Sequence, residues 1–119
     1  MARAEKKKFS SADDVREFKN GKMSLVTVGD FSLGKIELKP GWRWSKDLKP
    51  LVKTETCELA HKEYVISGRL HVLMNDGSEF EVGPGDVAYI PSGHDGWIVG
   101  NETYVALEFS SPTRYALKA

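Results

Sequence analysis

Gly83-Pro84-Gly85-Asp86-Val87-Ala88-Tyr89-Ile90-Pro91-Ser92-Gly93 sets a short apolar strand between two turn signals. Pro84 presets a turn dihedral, and Gly85 can take a positive φ, so the chain reverses before Val87. Pro91 cannot donate to a sheet ladder and closes the strand. Val87 to Ile90 is therefore expected to be a short, buried strand. The glycines are no phosphate cradle, because no helix follows them.

The same texture continues on both sides. Toward the C-terminus, Trp97-Ile98-Val99 leads to a hairpin turn at Gly100-Asn101, and Thr103 to Phe109 reads as a strand. Upstream, Phe80 and Val82 share a face, and Asn75-Asp76-Gly77 is a strong hairpin signal. Before it Leu70, Val72 and Met74 alternate with Arg69, His71 and Leu73. Glu63 to Ser67 is a strand, with a bend at Gly68. Met23 to Val28 and Phe31 to Leu38 are strands around a Gly29-Asp30 turn, with a bulge expected near Gly34. Trp42 and Trp44 share one face of a short strand, and Lys46 to Lys53, with Pro50, reads as a loop. Ser10 to Gly21 reads as a short helix. Ser10 or Ser11 caps it, Asp13 and Asp14 suit its positive end, and Gly21 suits its C-terminal position. Many short strands with regular turns predict an all-β sandwich or closed barrel. The expected division is residues 1–22 as a tail with that short helix, and residues 23–119 as the barrel domain.

Composition narrows the function. At 119 residues the chain is most simply one domain. Seventeen basic residues balance seventeen acidic ones, which gives no electrostatic reason to expect nucleic acid or an anionic membrane as partner. No apolar run is long enough to span a bilayer, and the first residues lack the apolar core of a signal peptide. A single cysteine fits a reducing compartment, so the expected location is cytoplasmic. Lys6-Lys7-Lys8 reads as a solvated terminus.

The chemistry gathers in Thr54-Glu55-Thr56-Cys57-Glu58-Leu59-Ala60-His61-Lys62-Glu63-Tyr64-Val65-Ile66-Ser67-Gly68. Glu55, Cys57, His61 and Glu63 have the same parity and could share a strand face. On a flat strand, however, Cys57 and His61 would lie about 13 Å apart. Ligands of one zinc ion lie only about 2.0–2.3 Å from it. The chain must therefore break its extended course between Cys57 and His61 if both bind one ion.

From Gly41 to about Phe109 the sequence resembles the cupin superfamily. The second cupin motif places a glycine, five residues, a proline, one residue and a glycine. Gly85, Pro91 and Gly93 match it. The first motif has two histidines one residue apart, a glutamate, then six residues and a glycine. Anchored on Gly68, it places Glu55 and Cys57 at the histidine positions and His61 at the glutamate position. The second-motif histidine position falls on Gly96, and His94 lies two residues earlier with the same parity. The segment from Gly41 to Glu55 is longer than the family pattern. The resemblance implies a double-stranded β-helix, or jelly-roll barrel, enclosing a small site. It also implies a homodimer, and a divalent metal as cofactor.

On that alignment the expected metal ligands are Cys57, His61 and His94, with Glu55 or a water as fourth. A thiolate with imidazoles suits zinc best, and iron, nickel or copper less well. Read singly, Cys57 is a small buried apolar residue and His61 a hydrogen-bonded interior histidine. His94 alone reads equally as an exposed turn residue paired with Asp95. Glu63 is read as an exposed glutamate or as an acceptor for the free ring N–H of His61. His71 is read as solvent-facing or at an interface, and the tryptophans as core or dimer contacts. No catalytic acid or base stands out. Two kinds of function are carried forward, a metal-dependent enzyme on a small polar substrate or a non-catalytic small-ligand-binding or sensor module, and a third reading is a degenerate cupin without metal. Met23 to Val28 and Thr103 to Phe109 are expected to extend a sheet across a dimer partner.

Overall fold

Alternating apolar and polar residues pair the chain into two antiparallel sheets, and a computed structural model describes residues 3–109 of them. The strands are β1 (Asp14–Phe18), β2 (Gly21–Val28), β3 (Phe31–Leu38), β4 (His61–Ser67), β5 (Arg69–Met74), β6 (Glu79–Val82), β7 (Val87–Ile90), β8 (His94–Val99) and β9 (Tyr104–Glu108). The larger sheet runs β1-β2-β3-β9-β4-β7, and the smaller runs β6-β5-β8. This is the all-β architecture that the turn spacing predicts, in the jelly-roll form that the cupin resemblance implies. Met23, Ile36, Leu38, Val65 and Ala106 of the large sheet meet Leu70, Val72, Val82 and Ile98 of the small one in a single core. Residues 110–119, the end of the expected barrel span, lie outside the described residues.

Of the expected N-terminal helix only a 3₁₀ turn at Phe9–Ser11 forms. Residues Asp14–Phe18 are strand β1, paired with β2 from Asp14↔Leu25 to Phe18↔Gly21. Asn20 takes a positive φ of 64° in the connecting turn. The Asn20-Gly21 pair is thus a hairpin signal, not a helix stop. A lone Val15–Phe18 pair offers a helix few contacts, whereas the strand gains a full ladder against β2. The sheet accordingly starts at Asp14 and not at Met23.

Other differences are smaller. Lys46 to Lys53 is not a plain loop: α1 (Trp44–Asp47) and α2 (Lys49–Val52) are single helical turns, with Pro50 in the first turn of α2, where its missing N–H costs nothing. Trp42 and Trp44 are both buried, but Trp44 opens α1, so they share no strand face. The β2–β3 register runs unbroken through Gly34. Gly34 lies opposite the buried Glu108 instead of marking a bulge, and the irregularity falls between Val65 and Ser67 on β4. Strand β7 is half-buried: Ala88 and Ile90 face the core, while Val87 and Tyr89 are 83% and 62% exposed. It is an edge strand with one solvated face. β2 and β9 both lie inside the sheet, so neither can extend it across a partner. Among the described residues no helix is long and apolar enough to cross a membrane.

Gly68 makes the turn from one sheet to the other. Its φ is +76°, and a Cβ there would lie 2.6 Å from the Tyr104 Cα. Gly77 has a φ of +90° but open space around it. Gly68→Ala should therefore combine backbone strain with a clash. The expected loss exceeds about 2 kcal/mol, against about 1 kcal/mol for Gly77→Ala. Denaturant midpoints of the two variants check this ordering.

Candidate metal centre

Cys57 lies outside the strands, but its backbone is tied to β8. Its N–H donates to the His94 carbonyl at 2.8 Å, and its carbonyl accepts from Gly93 N–H at 2.7 Å. Glu58-Leu59-Ala60 then crosses from the small sheet to the large one, where His61 opens β4. This is the break in the extended course that the spacing demands. Cys57 and His94 thus come from one side of the barrel and His61 from the other.

Alternation along β4 turns His61, Glu63 and Val65 inward while Lys62, Tyr64 and Ile66 face out. The same rule on β9 turns Tyr104, Ala106 and Glu108 inward. Because Glu63 pairs with Glu108 across the ladder, two carboxylates stand side by side in the core, 4% and 0% exposed. Each finds partners. Glu108 accepts a hydrogen bond from His61 Nδ1 and another from Lys62 N–H at 3.1 Å. Glu63 accepts from the Tyr104 hydroxyl at 2.7 Å and lies 3.7 Å from His61 Nδ1.

These bonds orient the imidazole rings. The Glu108 carboxylate accepts from His61 Nδ1–H, so Nε2 is the ring nitrogen that faces Cys57 Sγ, 3.4 Å away. The Pro91 carbonyl likewise takes the Nδ1–H of His94 at 2.7 Å, and His94 also bonds Cys57. The two rings meet edge to face at 5.1 Å. Ligand atoms of Cys57, His61 and His94 all lie within 4.8 Å of one another, and all three residues are buried. In a tetrahedral zinc site the edge between a sulfur and a nitrogen ligand is about 3.5 Å. The Cys57–His61 separation matches it. The donor set therefore fits a soft divalent ion.

Glu55 does not join this cluster. Its side chain is 94% exposed and bonds Lys49 at 3.1 Å. Glu63 is neither exposed nor the main acceptor for His61; Glu108 takes that part. Glu108 and Tyr104 escaped the sequence reading because they sit in the last strand, far from the histidines in sequence. The inward parity of Glu108 with Tyr104 and Ala106 was the available signal. His71 bonds Glu79 at 2.8 Å and stacks on Trp97, outside the site. Asp95 pairs with Arg43 at 3.1 Å and not with His94.

Electrostatics follow from the packing. Burial pushes the Cys57 thiol up, but hydrogen bonds with His61 and His94, and their charge, outweigh it and lower the pKa to about 6. Burial also opposes the His61 imidazolium. Its bonds with Cys57 and Glu108, together with the neighbouring carboxylates, prevail and raise it well above its ordinary value. Glu63 is raised by burial and by the charge of Glu108, against the pull of His61. Cys57, His61, Glu63 and His94, with Trp42, Trp44, Tyr104 and Gly96 among others, line a cavity of about 30 Å³.

The EutQ-like cupin domain model matches residues 25–106. No curated protein matches the chain. A protein of unknown function from Rhizobium leguminosarum superposes with a TM-score of 0.62 at 21% identity, over 92% of this chain and 97% of that one. The ethanolamine utilization protein Q of Salmonella typhimurium superposes at 0.52 and 18% identity, over 77% of this chain and 69% of that one. A variant of Bacillus subtilis oxalate decarboxylase superposes at 0.58 and 27% identity, over 86% of this chain but only 28% of the decarboxylase. The first two likenesses establish the fold.

In metal-free protein the Cys57 thiol should ionise with a midpoint near 6, so the thiolate prevails above that pH and is lost below it. Ultraviolet thiolate absorbance followed against pH measures this. His61→Ala removes a stabilising partner and should move the midpoint upward.

Proposed function

This chain belongs to the EutQ-like cupin domain family, and we propose that its barrel holds one divalent metal ion on Cys57, His61 and His94. The observation that carries the reading is the convergence of one sulfur and two imidazole rings, each imidazole anchored behind by Glu108 or the Pro91 carbonyl. Zinc suits this set best, with iron, nickel or copper as weaker fits. When bound, such an ion acts as a Lewis acid or lowers the pKa of water. The protein is then a metal-dependent enzyme acting on a small polar molecule, and it works in the cytoplasm.

The remaining residues supply orientation and a proton. Glu108 holds His61 in one tautomer and one ring orientation. Glu63, its pKa raised by burial and by the charge of Glu108, lines the same cavity and can hold or release a proton at Oε2. Tyr104 fixes the other carboxyl oxygen. A second reading is a non-catalytic binding module, favoured by the small cavity of about 30 Å³. Turnover by the metal-loaded protein across small polar substrates separates the two.

Elemental analysis after chelation and reloading tests the site. Wild type should carry one zinc per chain, while Cys57→Ser, His61→Ala and His94→Ala should lose it without unfolding. Glu108→Gln should weaken zinc about 10–100-fold, and Glu55→Ala should leave it unchanged. Equal traces of metal in wild type and all variants would remove the reading.

Pairing as a homodimer belongs to the same proposal. Tyr64, Ile66, Val87 and Tyr89 are exposed on the outer face of the adjacent strands β4 and β7, where a second copy can cover them. Sedimentation should give a dimer mass for wild type and a monomer for Val87→Lys/Tyr89→Lys. A wild-type monomer at micromolar concentration would end this part of the account.

A further inference from the structure

Cys57, His61 and Glu108 stand in a row inside the barrel. Cys57 Sγ lies 3.4 Å from His61 Nε2, and His61 Nδ1–H donates to Glu108. Glu108 is pinned in turn by the Lys62 N–H at 3.1 Å. The three come from three places: the segment bridged to β8, the start of β4 and the end of β9. A sulfur, an imidazole and a carboxylate in that order are a nucleophile, a base and the group that orients the base. All three are buried.

Holding an ion would use only part of this arrangement. The contact between Sγ and Nε2 also lets one proton serve both atoms. With the proton on His61, the sulfur is a thiolate beside an imidazolium, and Glu108 steadies the imidazolium from behind. An electrophile reaches that sulfur only through the cavity that Cys57 and His61 line together. The cavity selects by size. A single water needs about 10–15 Å³, so about 30 Å³ holds two oxygen atoms and little more. Ile36, Leu38, Leu70, Val72 and Ile90 close the rest of the wall with hydrocarbon. Hydrogen peroxide is an electrophile of that size. The chain has one cysteine, so an oxidised sulfur here meets no second thiol of its own chain.

We propose that Cys57, whenever no ion occupies the centre, is a peroxide-reactive thiol, with His61 as the carrier of its proton. The sulfur attacks one oxygen of hydrogen peroxide, and the O–O bond breaks. The other oxygen leaves, takes the shared proton from His61 Nε2 and becomes water. Sulfur gives up two electrons and the peroxide gains them. Thiol plus hydrogen peroxide thus yields a sulfenic acid on Cys57 plus one water. An ion and peroxide compete for the same sulfur, so this activity goes beyond the metal reading and stands without it.

The test uses full-length protein freed of metal by chelation. It is treated with hydrogen peroxide, catalase removes the oxidant, and the chain is then unfolded in urea containing dimedone. Dimedone marks sulfenate and not methionine sulfoxide, which separates Cys57 from the three methionines. Folded wild type should form the Cys57 adduct at least about tenfold faster than the same chain oxidised in urea. tert-Butyl hydroperoxide, too bulky for the cavity, should lose most of that advantage. His61→Ala should fall to the rate of the unfolded chain, and added imidazole should restore part of the loss. His61→Gln replaces it if His61→Ala does not fold. Folded wild type reacting no faster than the unfolded chain overturns the proposal, and that comparison needs no variant. Equal rates with both peroxides, or a wild-type rate in the His61 variant, also overturn it. Zinc reloading separates this proposal from the metal reading. A chain that reacts with peroxide but takes up no zinc removes the metal reading alone. One zinc per chain, with a thiol that stays inert after chelation, removes this proposal alone.

Discussion

The hydrogen bond from His61 Nδ1–H to the carboxylate of Glu108 is the interaction on which the interior depends. It joins β4 to β9 inside the barrel and fixes which nitrogen of His61 faces Cys57. A fully buried carboxylate is tolerated only when its lone pairs are met, and here an imidazole and a backbone N–H meet them. Without that bond His61 could turn or swap tautomer, and Glu108 would be a buried, under-satisfied acid. Burial, and then the charge of Glu108, raise the pKa of its neighbour Glu63. Two ionised carboxylates directly across a ladder repel, and burial strengthens the repulsion.

Topology makes this arrangement economical. The large sheet contributes His61, Glu63, Tyr104 and Glu108 by simple two-residue alternation on adjacent strands. The small sheet contributes His94 from its edge strand, and that free edge is what Cys57 pairs with. Only three residues then separate Cys57 from His61, so a short crossover brings a thiol and an imidazole from facing sheets into contact. The apolar core around them, from Met23 to Ala106, packs the two sheets together and includes Cys57 itself. One fold hosts unrelated chemistries by changing such interior side chains.

Much of the barrel was legible in the residues. Gly85, Pro91 and Gly93, the Asn75-Asp76-Gly77 turn and the alternation of β4, β5 and β9 all announce themselves locally. The N-terminal strand did not. Asp13, Asp14 and Gly21 look like helix caps in isolation, and only pairing with β2 decides otherwise. The expected break between Cys57 and His61 follows from distance alone, and the chain has it. The partners of His61 were not legible, since Glu108 becomes its neighbour only when β9 inserts between β3 and β4. Glu55 failed for the opposite reason. Its motif position pointed inward, but the residues before Cys57 lie outside the strands, where parity has no force, and its carboxylate faces solvent.

The central claim concerns what surrounds an ion placed in this barrel. X-ray absorption on zinc-loaded protein, untagged, counts those neighbours directly. The account predicts one sulfur at about 2.3 Å and two imidazole nitrogens at about 2.0–2.1 Å, with one light atom completing four ligands. A shell made only of oxygen and nitrogen, with no sulfur scattering, would contradict it.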